Sequence, residues 1–264
     1  MSAKPMSAKP MSGKLWVIGL GPGDARQLTP EAAEALQAAD AVYGYGPYLD
    51  RVPERAGQRR CASDNRQEID RAAQALADAA QGAAVAVVSG GDPGVFAMAA
   101  AVCEALERGP AAWRDLDLAI VPGVTGMLAV AARVGAPLGH DFCALSLSDN
   151  LKPWALVERR LQAAASAGFV IALYNPISRA RPWQLDRAFE TLRAHLPAHT
   201  PVIFGRAVGR ADERVRVTPL SAASGSLADM ATCVIVGSPE TRVVERPNRP
   251  ALIYTPRSTS VSST

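Results

Sequence analysis

The chain lacks an excess of either charge: 28 Lys and Arg stand against 25 Asp and Glu over 264 residues, a formal net charge of +3. So small a balance gives no electrostatic footprint for nucleic acid. Lysine is nearly absent, occurring only at Lys4, Lys9, Lys14 and Lys152. The cations are therefore arginines, from base composition or because forked guanidiniums suit carboxylate or phosphate ligands. Arg206, Arg210, Arg214 and Arg216 crowd into one short stretch. No apolar run approaches the roughly 18 residues that cross a bilayer. The first fourteen residues carry lysines but no apolar core of a secretory signal. These absences predict a soluble, cytoplasmic protein with no membrane and no nucleic-acid partner.

Paired cysteines are missing too. Cys61, Cys103, Cys143 and Cys233 are scattered with no CxxC. Cys103 falls in a helical pattern, Cys143 and Cys233 in strand-like runs, and buried free thiols fit a reducing compartment. Cys61, in a polar stretch, is the one candidate for reactivity. His195 and His199 have helical spacing, but Pro197 between them ends the helix that would align them. His140 stands alone. No metal site is expected.

What the sequence does hold is a core, with 48% apolar residues, and a regular alternation of elements. The opening MSAKPMSAKPMSGK repeats without apolar content and reads as a disordered tail, a misassigned start or a cloning scar. A strand over Lys14–Gly19 precedes Thr29-Pro30, an N-cap and N1 proline opening a helix to Ala39. Asn65 and Glu68 form a capping box for an Ala-rich helix to Gln81. Ala83–Val88 reads as a central strand covered on both faces. Further strands are expected at Ala41–Tyr43, Leu116–Val121, Asp141–Leu147, Phe169–Tyr174, Val202–Gly205, Arg214–Thr218 and Thr232–Val236, interleaved with helices. The alternation predicts an α/β protein of two domains with mostly parallel central sheets. The Gly/Pro loop Gly135–Gly139 divides a domain over 14–137 from one over 138–255, with tails at 1–13 and 256–264.

Strand after strand ends in a loop rich in Gly, Pro, Asp, Asn or Ser: Gly19–Asp24, Ser89–Gly94, Pro122–Gly126 and Tyr174–Ser178. Ligands of open α/β sheets bind beyond the carboxyl ends of strands. One such loop is a tight connection; four together point to a shared site. A dinucleotide site fails on inspection. Gly19-Leu20-Gly21-Pro22-Gly23-Asp24 puts an acid where GxGxxG needs its last glycine, and Pro22 removes an amide that a phosphate would use. The second strand runs into Gly44 and Tyr45 with no acid for a ribose. GxxxxGK[ST], GxSxG and HExxH are absent. The loops suit an adenosine-like ligand that is cationic and phosphate-free, a description that S-adenosylmethionine meets.

Val17–Asp24 with Leu28-Thr29, Ser89–Phe96, Val121–Thr125 and Leu173–Pro176 resemble, in order, the motifs of the tetrapyrrole (corrin/porphyrin) methylases. The similarity runs from about Lys14 to Thr255. Gly44–Leu49, Ser146–Trp154, Tyr174–Arg179 and Gly205–Arg210 look most like the members that methylate C17 of precorrin-3B and contract its ring. Two departures are Gly126, where many members have alanine, and Met230–Cys233, where relatives read closer to Gly-Cys-Thr.

The resemblance implies the class III methyltransferase fold, with S-adenosylmethionine in an inter-domain cleft, S-adenosylhomocysteine as product, a tetrapyrrole substrate and a homodimer. It assigns the cofactor to Pro22, Gly90, Gly91, Asp92, Val95 and Thr125 in the first domain. Gly126, Tyr174, Asn175, Ala231 and Thr232 complete that set. Ring contraction calls for acid–base help, for which Asp24, Tyr45, Asp149 and Lys152 are candidates. Tyr48, Ser148, Arg179, Arg206 and Arg210 are candidates for the substrate, the arginines as forked donors to its carboxylates. The alternatives are a paralogous precorrin methylase acting at C11 or C20 and, from another class, a nicotinamide-dependent oxidoreductase.

Overall fold

The computed structural model describes residues 13–64, 67–178 and 180–258. The expectations for the tail over 1–12, for Asn65, for Arg179 and for 259–264 lie outside the described residues. Gly13, placed with the tail by sequence, is buried, and a Cβ there would collide with the Ala79 carbonyl. Contacts divide the chain into two compact units, residues 1–125 and 126–264.

The first unit begins with β1 (Lys14–Gly19), α1 (Pro30–Ala38), β2 (Ala41–Tyr45) and the single turn α2 (Gly46–Leu49). It continues through β3 (Arg59–Ser63), α3 (Glu68–Ala80), β4 (Ala84–Ser89), α4 (Met98–Arg108) and β5 (Asp117–Val121). The strands form one five-stranded sheet in the order β3-β2-β4-β1-β5, every pairing parallel. Parallel strands need crossovers, and helices on both faces bury the sheet. Leu15, Val17, Val85 and Val87 face Leu76 and Val102 on one side; Ile18, Val42, Ala86 and Val88 face Leu36 and Leu49 on the other. Thr29 caps α1 as its sequence predicts, its hydroxyl accepting the Ala32 amide at 3.1 Å. β3 escapes the sequence pattern because it is a short, polar edge strand, RRCAS.

The second unit opens with α5 (Gly126–Val134), which precedes the Gly135–Gly139 loop in sequence yet packs on strands of this unit. There follow β6 (Gly135–Ala136), β7 (Phe142–Ser146), α6 (Trp154–Ser166), β8 (Val170–Tyr174), α7 (Gln184–Arg193), β9 (Pro201–Arg206) and β10 (Arg214–Pro219). β11 (Thr232–Val236), β12 (Arg242–Arg246) and β13 (Arg249–Tyr254) complete it. The main sheet has the order β10-β9-β11-β8-β7. The expectation of mostly parallel sheets needs correction here. Only β7 and β8 run parallel, because β9 turns back as a hairpin into β10 and β11 enters antiparallel to both β9 and β8. Its core gathers Leu161, Leu173, Leu185, Phe189, Leu192, Phe204 and Val234.

A small sheet, β12-β13-β6, closes the second unit. Ile253 and Tyr254 pair with Gly135 and Ala136, and the Thr255 hydroxyl donates to the Pro137 carbonyl at 2.6 Å. Among the thiols, Cys233 is buried and Cys61 and Cys143 are half-buried. Cys103 is exposed on α4, contrary to its expected burial, because Val102 and Ala105 supply the apolar face of that helix. No helix among the described residues is long and apolar enough to cross a membrane.

Candidate functional site

In the first unit the loops after β1, β4 and β5 meet at the carboxyl edge of the sheet. Gly21 and Gly91 exchange backbone hydrogen bonds, Gly21 N–H to Gly91 O at 3.1 Å and the reverse at 2.8 Å. Both have positive φ, +66° and +69°, which glycine adopts without penalty. A Cβ on Gly19 would lie 2.7 Å from both the Gly123 nitrogen and the Gly91 oxygen. The three loops therefore touch backbone to backbone, and the sequence motif is glycine-rich for that reason. Gly90 has a different reason: a Cβ there would sit 2.8 Å from the Tyr48 ring.

Asp92 braces this platform. Its Oδ1 accepts the Gly94 amide at 2.8 Å and its Oδ2 the Gly123 amide at 3.0 Å, joining the β4 loop to the β5 loop. The sequence suggests Asp92 as a counter-charge to a cationic ligand; the structure gives its oxygens backbone donors within the protein. Arg51, which sequence reasoning missed, braces the β1 loop. Its Nη2 donates to the carbonyls of Leu20 at 2.7 Å and Gly21 at 2.8 Å. No sequence motif marks Arg51, since its partners lie thirty residues upstream.

Asp24 caps the 3-10 turn Ala25–Gln27, accepting the Arg26 amide at 2.9 Å, and pairs with the Arg26 guanidinium at 2.6 Å. Tyr45 and Tyr48 stack edge to face with centroids 5.6 Å apart. Val95 is half-buried, its amide 3.3 Å from the Asp92 carbonyl, Pro22 is buried in the β1 loop, and Thr125 is buried where the unit ends.

In the second unit, β7 and β8 carry their loops to one edge. The Tyr174 hydroxyl accepts the Met127 amide at 2.9 Å in the first turn of α5, and Asn175, at φ +50°, donates to the Ser146 hydroxyl at 2.9 Å. A Cβ on Gly126 would meet Cys233 Cβ and the Tyr174 ring at 3.7 Å. That is ordinary contact, so an alanine would fit the same backbone.

Ala231 and Thr232 sit in a turn organised by Asp229. Its Oδ1 accepts the Ala231 amide and the Thr232 hydroxyl, both at 2.9 Å. Arg206 clamps Asp229 through Nε at 2.6 Å and reaches Asp212 through Nη1 at 2.6 Å. The Asp212 bond, more than the Asp229 bond, raises the guanidinium above its ordinary value. Arg206, a substrate candidate by sequence, is thus engaged by two carboxylates. Arg210 is exposed in the following turn, its amide bonded to the Ala207 carbonyl at 3.0 Å.

Asp149, Lys152 and Ser148 lie together on the β7 loop. Asp149 accepts from Arg181 and from the buried Gln184, the latter at 2.9 Å. Ser148 caps its own loop, donating its amide to the Ser146 hydroxyl at 3.3 Å. Burial, reinforced by Arg160 and opposed by Asp149, lowers the Lys152 ammonium from its ordinary value.

A parallel sheet with glycine-built loops at its carboxyl edge, followed by a mixed sheet carrying Tyr-Asn-Pro at the end of β8, defines the class. The chain belongs to the Tetrapyrrole (Corrin/Porphyrin) Methylases, whose family model matches residues 14–224. It is 68% identical over 246 residues to a Precorrin-3B C(17)-methyltransferase of Sinorhizobium sp, covering 93% of this chain and 97% of that one. It is 47% identical over 252 residues to the Cobalamin biosynthesis protein CobIJ of Mycobacterium tuberculosis, covering 93% of this chain but 48% of that longer protein. A crystal structure of the methyltransferase CobJ superposes with a TM-score of 0.88 at 47% identity, covering 93% of this chain and all of that one. The chain is thus a methyltransferase, and the oxidoreductase alternative falls away.

Proposed function

We propose that the protein transfers a methyl group from S-adenosylmethionine to C17 of precorrin-3B, with contraction of the macrocycle to precorrin-4. The 68% identity to a relative of that name, over nearly the whole of both chains, is the single observation that carries the regiochemistry. Paralogues acting at C11 or C20 are the alternative.

The donor set fits such a cofactor. The β1 loop is not a phosphate cradle, because Pro22 contributes no amide and Asp24 itself takes the Arg26 amide. S-adenosylmethionine supplies an electrophilic methyl on a positively charged sulfur. The chain's part is alignment and exclusion of water, which needs no enzyme nucleophile. Pro22, Gly90, Gly91, Val95 and Thr125 would line the cofactor from the first unit, on loops that Asp92 and Arg51 hold in register. Gly126, Tyr174, Asn175, Ala231 and Thr232 would do so from the second, on turns fixed by Met127, Ser146 and Asp229. Asp24, Tyr45, Asp149 and Lys152 are the candidates for proton transfer during contraction, with Tyr48, Ser148, Arg179, Arg206 and Arg210 towards the substrate. A cytoplasmic homodimer accompanies this reading.

Mass spectrometry of the reaction with precorrin-3B and S-adenosylmethionine tests it. A gain of one methyl unit is expected, with the bridging carbon and the methyl it bears extruded as an acetyl group that is later released as acetic acid. Absence of methyl gain, or methylation at C11 or C20, would overturn it.

A further inference from the structure

The loops that follow β7 and β8 hold a cluster unlike the rest of the surface. Trp154 and Trp183 stack edge to face with centroids 4.9 Å apart, and Trp183 leaves 43% of its surface exposed. The edge-to-face contact braces the Trp183 ring while leaving part of it open to solvent, where another ring can stack. Beside it stands Arg181, whose guanidinium is anchored through Nη1 to Asp149. Asp149 is itself fixed by Gln184, which is 1% exposed. A guanidinium pinned at one corner keeps its remaining donors in a set direction, the arrangement that makes arginine selective for carboxylates.

Charge in the cluster is unbalanced. Asp149 pairs with Arg181 across the two loops, and Lys152 follows it three residues later on the β7 loop. Burial lowers the Lys152 ammonium, and Arg160 lowers it further as a repulsive neighbour. Two cations against one carboxylate leave these loops a net positive charge, which favours an anion. Three buried polar atoms, Trp154 Nε1 at the start of α6 and Ser178 Oγ and Arg181 Nε after β8, have no partner among the described residues. Buried donors of this kind are normally satisfied, and ligand sites are where they are left over.

We propose that this loop pair recognises a peripheral carboxylate of the tetrapyrrole, with Lys152 and Arg181 as its charged donors and the Trp183 ring as the wall against which the adjoining pyrrole lies. The proposal rests on the methyltransferase reading above and names where its substrate is gripped. Asp149 then acts as a positioning residue for Arg181, and Lys152 binds an anion in place of moving a proton.

Steady-state kinetics with precorrin-3B at saturating S-adenosylmethionine test this, alongside calorimetry of the cofactor alone. Arg181→Gln and Trp183→Ala are expected to raise KM for the tetrapyrrole at least tenfold, with kcat within threefold and cofactor Kd within twofold of wild type. Arg181→Lys restores part of the loss. Asp149→Asn raises KM without changing the pH profile of kcat. An unchanged KM in Arg181→Gln overturns the proposal, as does a collapse of kcat with an altered acidic limb in Asp149→Asn. Should the wild-type protein methylate nothing, the functional reading fails while the site stays testable through quenching of tryptophan fluorescence by uroporphyrin III. Quenching that weakens tenfold in Arg181→Gln and Lys152→Gln supports it, and equal quenching in all three proteins overturns it.

Discussion

Asp92 and Gly123 lie 31 residues apart in sequence and are joined by one hydrogen bond of 3.0 Å, from the Gly123 amide to Asp92 Oδ2. That bond ties the loop after β4 to the loop after β5. The carboxylate serves backbone amides first, so its influence on a ligand passes through loop geometry. Asp92→Ala should weaken S-adenosylmethionine binding at least tenfold by calorimetry. Near-wild-type affinity would remove Asp92 from the platform.

Gly123 itself tolerates no side chain, since a Cβ would collide with the Gly91 carbonyl and press on Gly19. Gly123→Ala should cost about 1–3 kcal/mol of stability through overpacking. A Gly46→Ala control, with nothing within 4 Å of the new methyl, should melt within a degree or two of wild type. Equal melting of the two variants in differential scanning calorimetry would contradict this packing.

Arg133 on α5 grips Glu213 with two bonds, 2.6 and 3.1 Å, and the Gly209 amide adds a third at 2.7 Å. The Arg133 bonds hold the Glu213 carboxyl below its ordinary 4.5. A carboxyl depressed on folding contributes stability fully above that ordinary value and loses it as pH falls through the lower folded one. Glu213→Gln should therefore cost about 1 kcal/mol near neutrality, discounted for partial exposure. The gap to wild type should close below pH 4.5. A gap independent of pH would refute the assignment.

Burial pushes the Cys233 thiol up to about 12, whereas Cys103 is exposed. The thiolate is the reactive form. A maleimide at mildly alkaline pH should label Cys103 in the native protein and reach Cys233 only after denaturation, read by peptide mass spectrometry. Native labelling of Cys233 at the rate of Cys103 would show that the β11 strand opens.

The loops were legible because close backbone contact can be met only by glycine, and that need is written directly in Gly19, Gly21, Gly91 and Gly123. The parallel sheet was legible through its continuous apolar strands. The direction of β9, β10 and β11 was not, because an apolar run such as Thr232–Val236 is the same read either way along a sheet. Arg51, Arg206 and Asp149 show a second limit. Composition marks them as charged loop residues, but whether a charge faces a ligand or a neighbouring backbone depends on partners that folding brings from far along the chain. Arg206, a substrate candidate by its sequence, also clamps Asp229 from 23 residues away.

The short pairing of Ile253 and Tyr254 with Gly135 and Ala136 has a practical bearing. β13 is the middle strand of its sheet, so a stop codon at Arg249 would strand both β12 and β6 without a neighbour. β13 is the keystone of that layer. Affinity handles and fusion partners therefore belong beyond Ser258, and trimming inside 249–255 would unfasten the segment that follows α5.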